Sequence, residues 1–221
     1  MFDGYWREAV SARVDPIGVR LHHRGATANR LTVFGVSVSF AAAAVIATGR
    51  MFAGALCLTA AALPDLFDGP AAKAAGDPTT RGAFLDSTAD RVTDSVLLLG
   101  VVWFYVADER GLVTMVPVSV MAVSWLISYQ RAKAESLGLD AKGGIMERAE
   151  RLVVLGIGLA IPGALTSALW VLLVLSTVTA LQRFIKVWGE SSHPRRLIRC
   201  CSSTDKRMRA SVEVWCEREV R

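Results

Sequence analysis

Metal-ligating nitrogen and sulfur are scarce in this chain. The three histidines, His22, His23 and His193, sit in its terminal regions, where solvated side chains are the ordinary case. The four cysteines, Cys57, Cys200, Cys201 and Cys216, form no CxxC pair and no regular framework, which argues against a disulfide scaffold or a zinc site. Cys200 and Cys201 are at most palmitoylation candidates. Charged residues are few, at 20%, while hydrophobic residues reach 52% with a mean hydropathy of +0.39, well above an ordinary soluble domain. Aromatic side chains build no base-stacking or groove-reading module, so the net charge of +5 and the pI near 9.3 point to anionic lipid and not to nucleic acid. A secretory signal is missing too: Met1 to Arg30 holds Arg7, Arg13, Arg20, Arg24 and Arg30 and has no uninterrupted apolar core before a small-residue cleavage site. Membrane insertion is therefore expected to be driven by the spans themselves.

What the chain does have is apolar residues in long blocks. Each block runs roughly the 17 to 25 residues that a bilayer core demands. They predict an all-α integral membrane protein with six transmembrane helices, at about 30–49, 51–75, 81–107, 111–137, 146–163 and 166–188. Ahead of them, residues 1–29 mix Tyr5, Trp6, Val10, Val14, Ile17 and Leu21 with spaced arginines, which predicts an interfacial amphipathic helix broken near Pro16. Behind them, residues 189–221 are polar and basic and are predicted to form a disordered cytoplasmic tail.

Lysine and arginine set the predicted orientation. With the N-terminus inside, the cytoplasmic side collects the leader arginines, Lys73, Arg81, Arg131, Lys133, Lys142, Arg148, Arg151 and the tail, and the other side keeps Arg50 and Arg110. A multi-pass protein of the cytoplasmic membrane, with both termini inside, follows from that asymmetry.

Against this apolar background four carboxylates stand out: Asp65 and Asp68, three apart at the end of the second span, and Asp86 and Asp90, four apart at the start of the third. On helices each pair projects from one face, and ionised groups at a membrane edge are costly unless paired, hydrated or metal-bound. Oxygen ligands with no histidine or cysteine nearby favour a hard ion, Mg²⁺ or Mn²⁺. Gly69, Ala71, Ala72 and Gly82 leave room beside the acids for a bulky anion, and Lys73 offers it a cation. The orientation places all four acids on the cytoplasmic side.

The pattern Asp65-x-x-Asp68-Gly69-x-x-Ala72-Lys73, eight residues, Gly82-x-x-x-Asp86-x-x-x-Asp90 resembles the signature of the CDP-alcohol phosphatidyltransferase family, with its spacing intact. The resemblance implies a six-helix membrane enzyme over residues 30–188, usually a homodimer, that moves the phosphatidyl group of CDP-diacylglycerol to an alcohol and releases CMP. It implies two divalent ions on Asp65, Asp68, Asp86 and Asp90, with Asp90 doubling as general base. Gly69, Ala72, Lys73 and Gly82 would hold the nucleotide. The family usually has arginine where Lys73 stands; lysine keeps the charge and loses the bidentate fork.

A second polar concentration follows: Arg131 and Lys133 at the end of the fourth span, Gly143-Gly144 and Glu147-Arg148-Ala149-Glu150-Arg151 at the fifth, and Arg183 in the sixth. These cations could form an anion pocket for an acceptor that already carries a phosphate; the positive-inside excess alone would also place them there. The segments are similar to those of the actinobacterial phosphatidylinositol phosphate synthases within the family, with Arg131 and Lys133 in swapped order. That similarity implies inositol phosphate as acceptor, bound by Arg131, Lys133, Arg148, Arg151 and Arg183. Glycerol 3-phosphate, giving phosphatidylglycerol phosphate, is the alternative. A transporter whose acids relay ions would place them mid-bilayer within inverted repeats, which the chain does not show; a catalytically weak scaffold homologue is the remaining alternative. Asp94, four beyond Asp90, either supports the acid cluster or pairs with Arg91 or Lys73.

Overall fold

The computed structural model describes residues 28–74, 79–139, 141 and 143–191, with the backbone alone given for Ala28 and residues 65–74. The predicted interfacial helix and basic tail fall outside those residues, apart from the short stretches continuous with the first and last helices.

The described residues are all-helical: α1 (Ala28–Ala47), α2 (Met51–Ala74), α3 (Thr80–Ala107), a 3-10 turn (Gly111–Thr114), α4 (Met115–Ser136), α5 (Arg148–Ala160) and α6 (Leu165–Ser191). The six α-helices lie at the positions of the six predicted segments. The fifth differs most, covering 148–160 where 146–163 is predicted. Its start is fixed by a reciprocal capping box between Glu147 and Glu150. Its end is fixed by Pro162, which forces Ile161 into extended backbone at φ −96°, ψ 118°.

Three helical stretches are long and apolar enough to cross a membrane: Asn29–Ala47, Gly111–Ser136 and Leu165–Ser191. The others depart for separate reasons. Among the described residues α2 offers the shorter apolar stretch Met51–Pro64, with Asp65, Asp68 and Lys73 following in the sequence, α3 carries five charged residues between Arg81 and Asp94, and the 13 residues of α5 extend only about 20 Å. Phe34, Phe52, Trp103, Leu112 and Ile185 point outward, each more than half exposed. On a soluble surface that much apolar area would be a liability; together with the long apolar helices it is consistent with a membrane protein.

Helix α1 packs against α2 and α3, α4 against α3 and α6, and α5 against α2 and α6. The core between them contains Ile46, Leu97, Val101, Tyr105, Leu159 and Leu169. Small residues set the closest approaches. A Cβ on Gly100 of α3 would lie 2.7 Å from the Ala43 carbonyl oxygen of α1, so the two backbones touch there as only glycine permits.

Contacts at the helix ends show an up-and-down arrangement. The α1–α2 turn at Gly49 lies against Phe104 near the end of α3, and Tyr105 Oη is 2.9 Å from Thr166 Oγ1 at the start of α6. The opposite end of the bundle gathers the starts of α1, α3 and α5 with the ends of α4 and α6. That end carries most of the described charged residues, while Arg50, Asp108, Glu109 and Arg110 stand at the other.

Candidate active site

The site grows from the first half of α3. Thr79 caps the helix, its hydroxyl accepting from the Gly82 amide at 3.1 Å. A Cβ on Gly82 would meet that hydroxyl at 3.1 Å and touch Asn29 Oδ1 of α1 at 3.5 Å, so a side chain there would crowd the cap. Asp86, Asp90 and Asp94 follow at four-residue steps on one face, and Asp94 is more enclosed than Asp90. Asp86 is half-buried, the Asp90 side chain is 24% exposed and that of Asp94 14%.

Asp65, Asp68, Gly69, Ala72 and Lys73 fall in the backbone-only stretch of α2, so their side-chain geometry lies outside the described residues. Among the described residues no three metal-ligating side chains gather. Asp86 and Asp90 are the described half of the predicted cage. Two carboxylates one helical turn apart, beside a glycine and with oxygen as the donor atom, fit a hard divalent ion.

The other half of the constellation comes from the first turn of α5. Arg148 Nη1 lies 2.9 Å from Asp90 Oδ1, and Arg148 Nε lies 3.5 Å from Asp94 Oδ1. Arg151 Nη2 donates to Asp94 Oδ2 at 3.1 Å. Of the expectations for Asp94, the pairing with Arg91 is corrected: among the described residues its cations are Arg151 and Arg148, whereas Arg91 reaches toward Asp90 at 3.9 Å, and the side chain of Lys73 lies outside the described residues. Arginines at a helix N-terminus work against the helix dipole, at roughly 0.3–1 kcal/mol each when exposed. The capping box and the α3 carboxylates offset that cost here.

Helix α6 and the loop after α4 set the position of α5. Arg183, buried, donates from Nη1 to the Ile127 carbonyl at 3.0 Å and from Nη2 to the Gly143 carbonyl at 3.1 Å. One turn earlier, Thr179 Oγ1 accepts from the Met146 amide at 3.1 Å. Gly144, at φ +145°, fits only because it lacks a Cβ, which would come 2.6 Å from Thr179 Cγ2. The face Thr179–Arg183 thus pins the segment that leads into Arg148.

Of the five predicted acceptor cations, then, Arg148 and Arg151 stand on the acidic face. Arg183 ties loop to helix, close enough to Arg131 and Arg151 for their charges to act on one another. Arg131 and Lys133 are exposed, and Arg131 Nε pairs with Glu135 at 2.9 Å. Sequence reasoning missed Thr179. Its signal was the four-residue step to Arg183 on a single helical face.

A cation held between carboxylates can bind an incoming phosphate, and a carboxylate released from that cation can take a proton. The model of the family described as CDP-alcohol phosphatidyltransferase matches residues 26–187. The chain is 38% identical over 186 residues to the phosphatidylinositol phosphate synthase of Mycobacteroides abscessus, covering 80% of this chain and 84% of the relative. It is 35% identical over 188 residues to the archaetidylinositol phosphate synthase of Methanothermobacter thermautotrophicus, covering 83% and 92%. Among solved structures, Mycobacterium tuberculosis phosphatidylinositol phosphate synthase (PgsA1) with CDP-DAG bound gives a TM-score of 0.71 at 34% identity, over 79% of this chain and 93% of that one. The same enzyme in complex with manganese and citrate gives 0.72 at 33%, over 79% and 88%. With a family model spanning most of its length and relatives this similar over most of theirs, the chain belongs to the CDP-alcohol phosphatidyltransferase family.

Proposed function

We propose that this chain transfers the phosphatidyl group of CDP-diacylglycerol to the hydroxyl of inositol phosphate, giving phosphatidylinositol phosphate and CMP. The observation that carries the reading is the 2.9 Å contact between Asp90 and Arg148. It joins the acids of the signature to the arginines of α5 in one site. The relatives named for an inositol phosphate product add support.

In this reading Asp65, Asp68, Asp86 and Asp90 hold two divalent ions, Mg²⁺ or Mn²⁺, and Gly69, Ala72, Lys73 and Gly82 cradle the nucleotide. When bound, the ions neutralise the diphosphate and stabilise charge on the transferring phosphoryl group. Asp90 accepts the proton of the attacking hydroxyl; the new acceptor O–P bond forms as the P–O bond to CMP breaks. Arg148 and Arg151, with Arg131, Lys133 and Arg183 behind them, bind the phosphate the acceptor already carries. All six helices cross or enter the cytoplasmic membrane, as a homodimer, with the charged end of the bundle and both termini on the cytoplasmic side.

Acceptor-dependent CMP release from CDP-diacylglycerol tests the reading. Purified protein with Mg²⁺ is given inositol phosphate, glycerol 3-phosphate, or inositol without a phosphate. Release with inositol phosphate alone is expected. Release only with glycerol 3-phosphate would move the chain to phosphatidylglycerol phosphate synthesis, and release with plain inositol would remove the phosphate pocket.

A further inference from the structure

Asp94 lies outside the signature and outside the residues assigned above to ions, nucleotide or acceptor, yet its side chain is more enclosed than that of Asp90. Its Oδ2 accepts from Arg151 at 3.1 Å. Its Oδ1 is buried and accepts no hydrogen bond among the described residues; the nearest cation is Arg148 Nε at 3.5 Å. One carboxylate therefore faces both arginines of the α5 first turn, and it holds one of them only loosely.

The arginines need such a partner. They stand three apart on one turn, their charges repel, and both oppose the dipole of the helix they begin. Arg151 is the more dependent of the two, since its side chain is 10% exposed. Long basic side chains without a buried partner turn their heads to water. Asp94 also borders a small, mainly apolar cavity with Arg151, Ser124, Leu97 and Leu155.

We propose that Asp94 is a positioning residue for the acceptor-phosphate pocket. It holds Arg151 in place and provides Arg148 with a second carboxylate, one helical turn from Asp90, so that Arg148 stays at the site when Asp90 is engaged in the reaction. The inference rests on the proposed acceptor pocket and adds the residue that organises it.

The test compares wild type with Asp94→Asn, Asp94→Glu, Arg151→Gln and the double variant Asp94→Asn/Arg151→Gln, all full-length in detergent micelles. Each is assayed for CMP release with acceptor and CDP-diacylglycerol varied separately. Asp94→Asn is nearly isosteric; it removes the charge and turns one acceptor oxygen into an NH2 donor. It is expected to raise the KM for the phosphorylated acceptor at least tenfold and to leave the KM for CDP-diacylglycerol within twofold. Asp94→Glu is expected to recover most of the loss. The double variant leaves no unpaired buried charge; its acceptor KM is expected within threefold of that of Arg151→Gln alone, because with Arg151 gone only the looser hold of Asp94 on Arg148 is left to lose. That arm also decides the matter if Asp94→Asn does not fold.

An acceptor KM that falls, as it would if Asp94 only competed with the phosphate, overturns the proposal. So do equal shifts in both KM values, or effects of the two substitutions that simply multiply. The assay uses whichever phosphorylated acceptor wild type accepts. A wild type that responds to glycerol 3-phosphate and not to inositol phosphate therefore removes the proposed substrate while Asp94 is still tested.

Discussion

The two halves of α3 follow different rules within one helix. From Thr80 to Asp94 it carries charges, and its acids meet arginines arriving from α5. From Ser95 to Ala107 it carries none, and its neighbours are Ala43, Tyr105's partner Thr166, and the leucines of the core. The border is marked by Ser95, whose hydroxyl accepts from Trp125 Nε1 at 2.9 Å and donates to the Arg91 carbonyl at 2.7 Å. The first half is held by partners that a substrate or ion can replace. The second is held by shape that nothing replaces. Substitutions in the first half should therefore register in catalysis and those in the second in stability.

The largest effect is expected at Asp90. Asp90→Asn keeps the shape and removes the proposed base and ion ligand, and CMP release should fall by about 10²–10⁴-fold, the range for losing a general base. The melting temperature in micelles should move little, because a partly exposed ion pair contributes on the order of 1 kcal/mol or less. Turnover within tenfold of wild type would show that this half of α3 is scaffold like the other.

Gly100→Ala probes the second half. The new Cβ would meet three backbone atoms of Ala43, the closest at 2.7 Å, so α1 and α3 must separate. Overpacking of this kind costs about 1–3 kcal/mol, read as a lower melting temperature with turnover per folded molecule unchanged. Gly156→Ala in α5 is the control: its Cβ would meet only Leu58 Cδ2 at 3.7 Å, and alanine regains roughly 0.5–1 kcal/mol of helix stability. Equal melting of the two variants would contradict the close approach of α1 and α3.

The same division governs what was legible in the sequence. The six helices follow from block lengths, and the border in α3 can be read from the end of its charges at Asp94, because hydropathy and charge are local. The four-residue spacing of Asp86 and Asp90 was likewise readable. What could not be read is which distant residue each charge meets. Asp94 pairs with a cation 57 positions away, and its sequence neighbour Arg91 was the nearer guess. Arg183 is a further case: its partners are the carbonyls of Ile127 and Gly143, and backbone acceptors leave no mark on residue type. The short α5 was foreshadowed by Pro162, whose effect on Ile161 is local, but the length of its apolar block suggested a longer helix.

Thr179 extends the comparison to α6, where one face serves the charged end. Thr179→Val keeps the volume and removes the acceptor for the Met146 amide, a group in a residue only 2% exposed. A buried donor left unpaired costs about 1–3 kcal/mol. Because that amide lies just ahead of Arg148, the acceptor KM should rise several-fold along with the loss of stability. A purely thermal effect would show that the loop is pinned without mattering to the arginines.

The smallest effect is expected at Tyr105, in the apolar half. Its ring is buried, and its hydroxyl meets Thr166 at 2.9 Å across to α6. Tyr105→Phe preserves the packing and deletes only that contact. Hydrogen bonds between membrane helices average about 0.6 kcal/mol, because the separated helices find other partners. The melting temperature should thus drop slightly, with turnover and both KM values unchanged. Thr166→Val should give the same shift, and the double variant no more than either alone, since both remove one bond. A loss of turnover in Tyr105→Phe would mean that the apolar half reaches the chemistry, and the division of α3 into a reactive and a packing half would have to be given up.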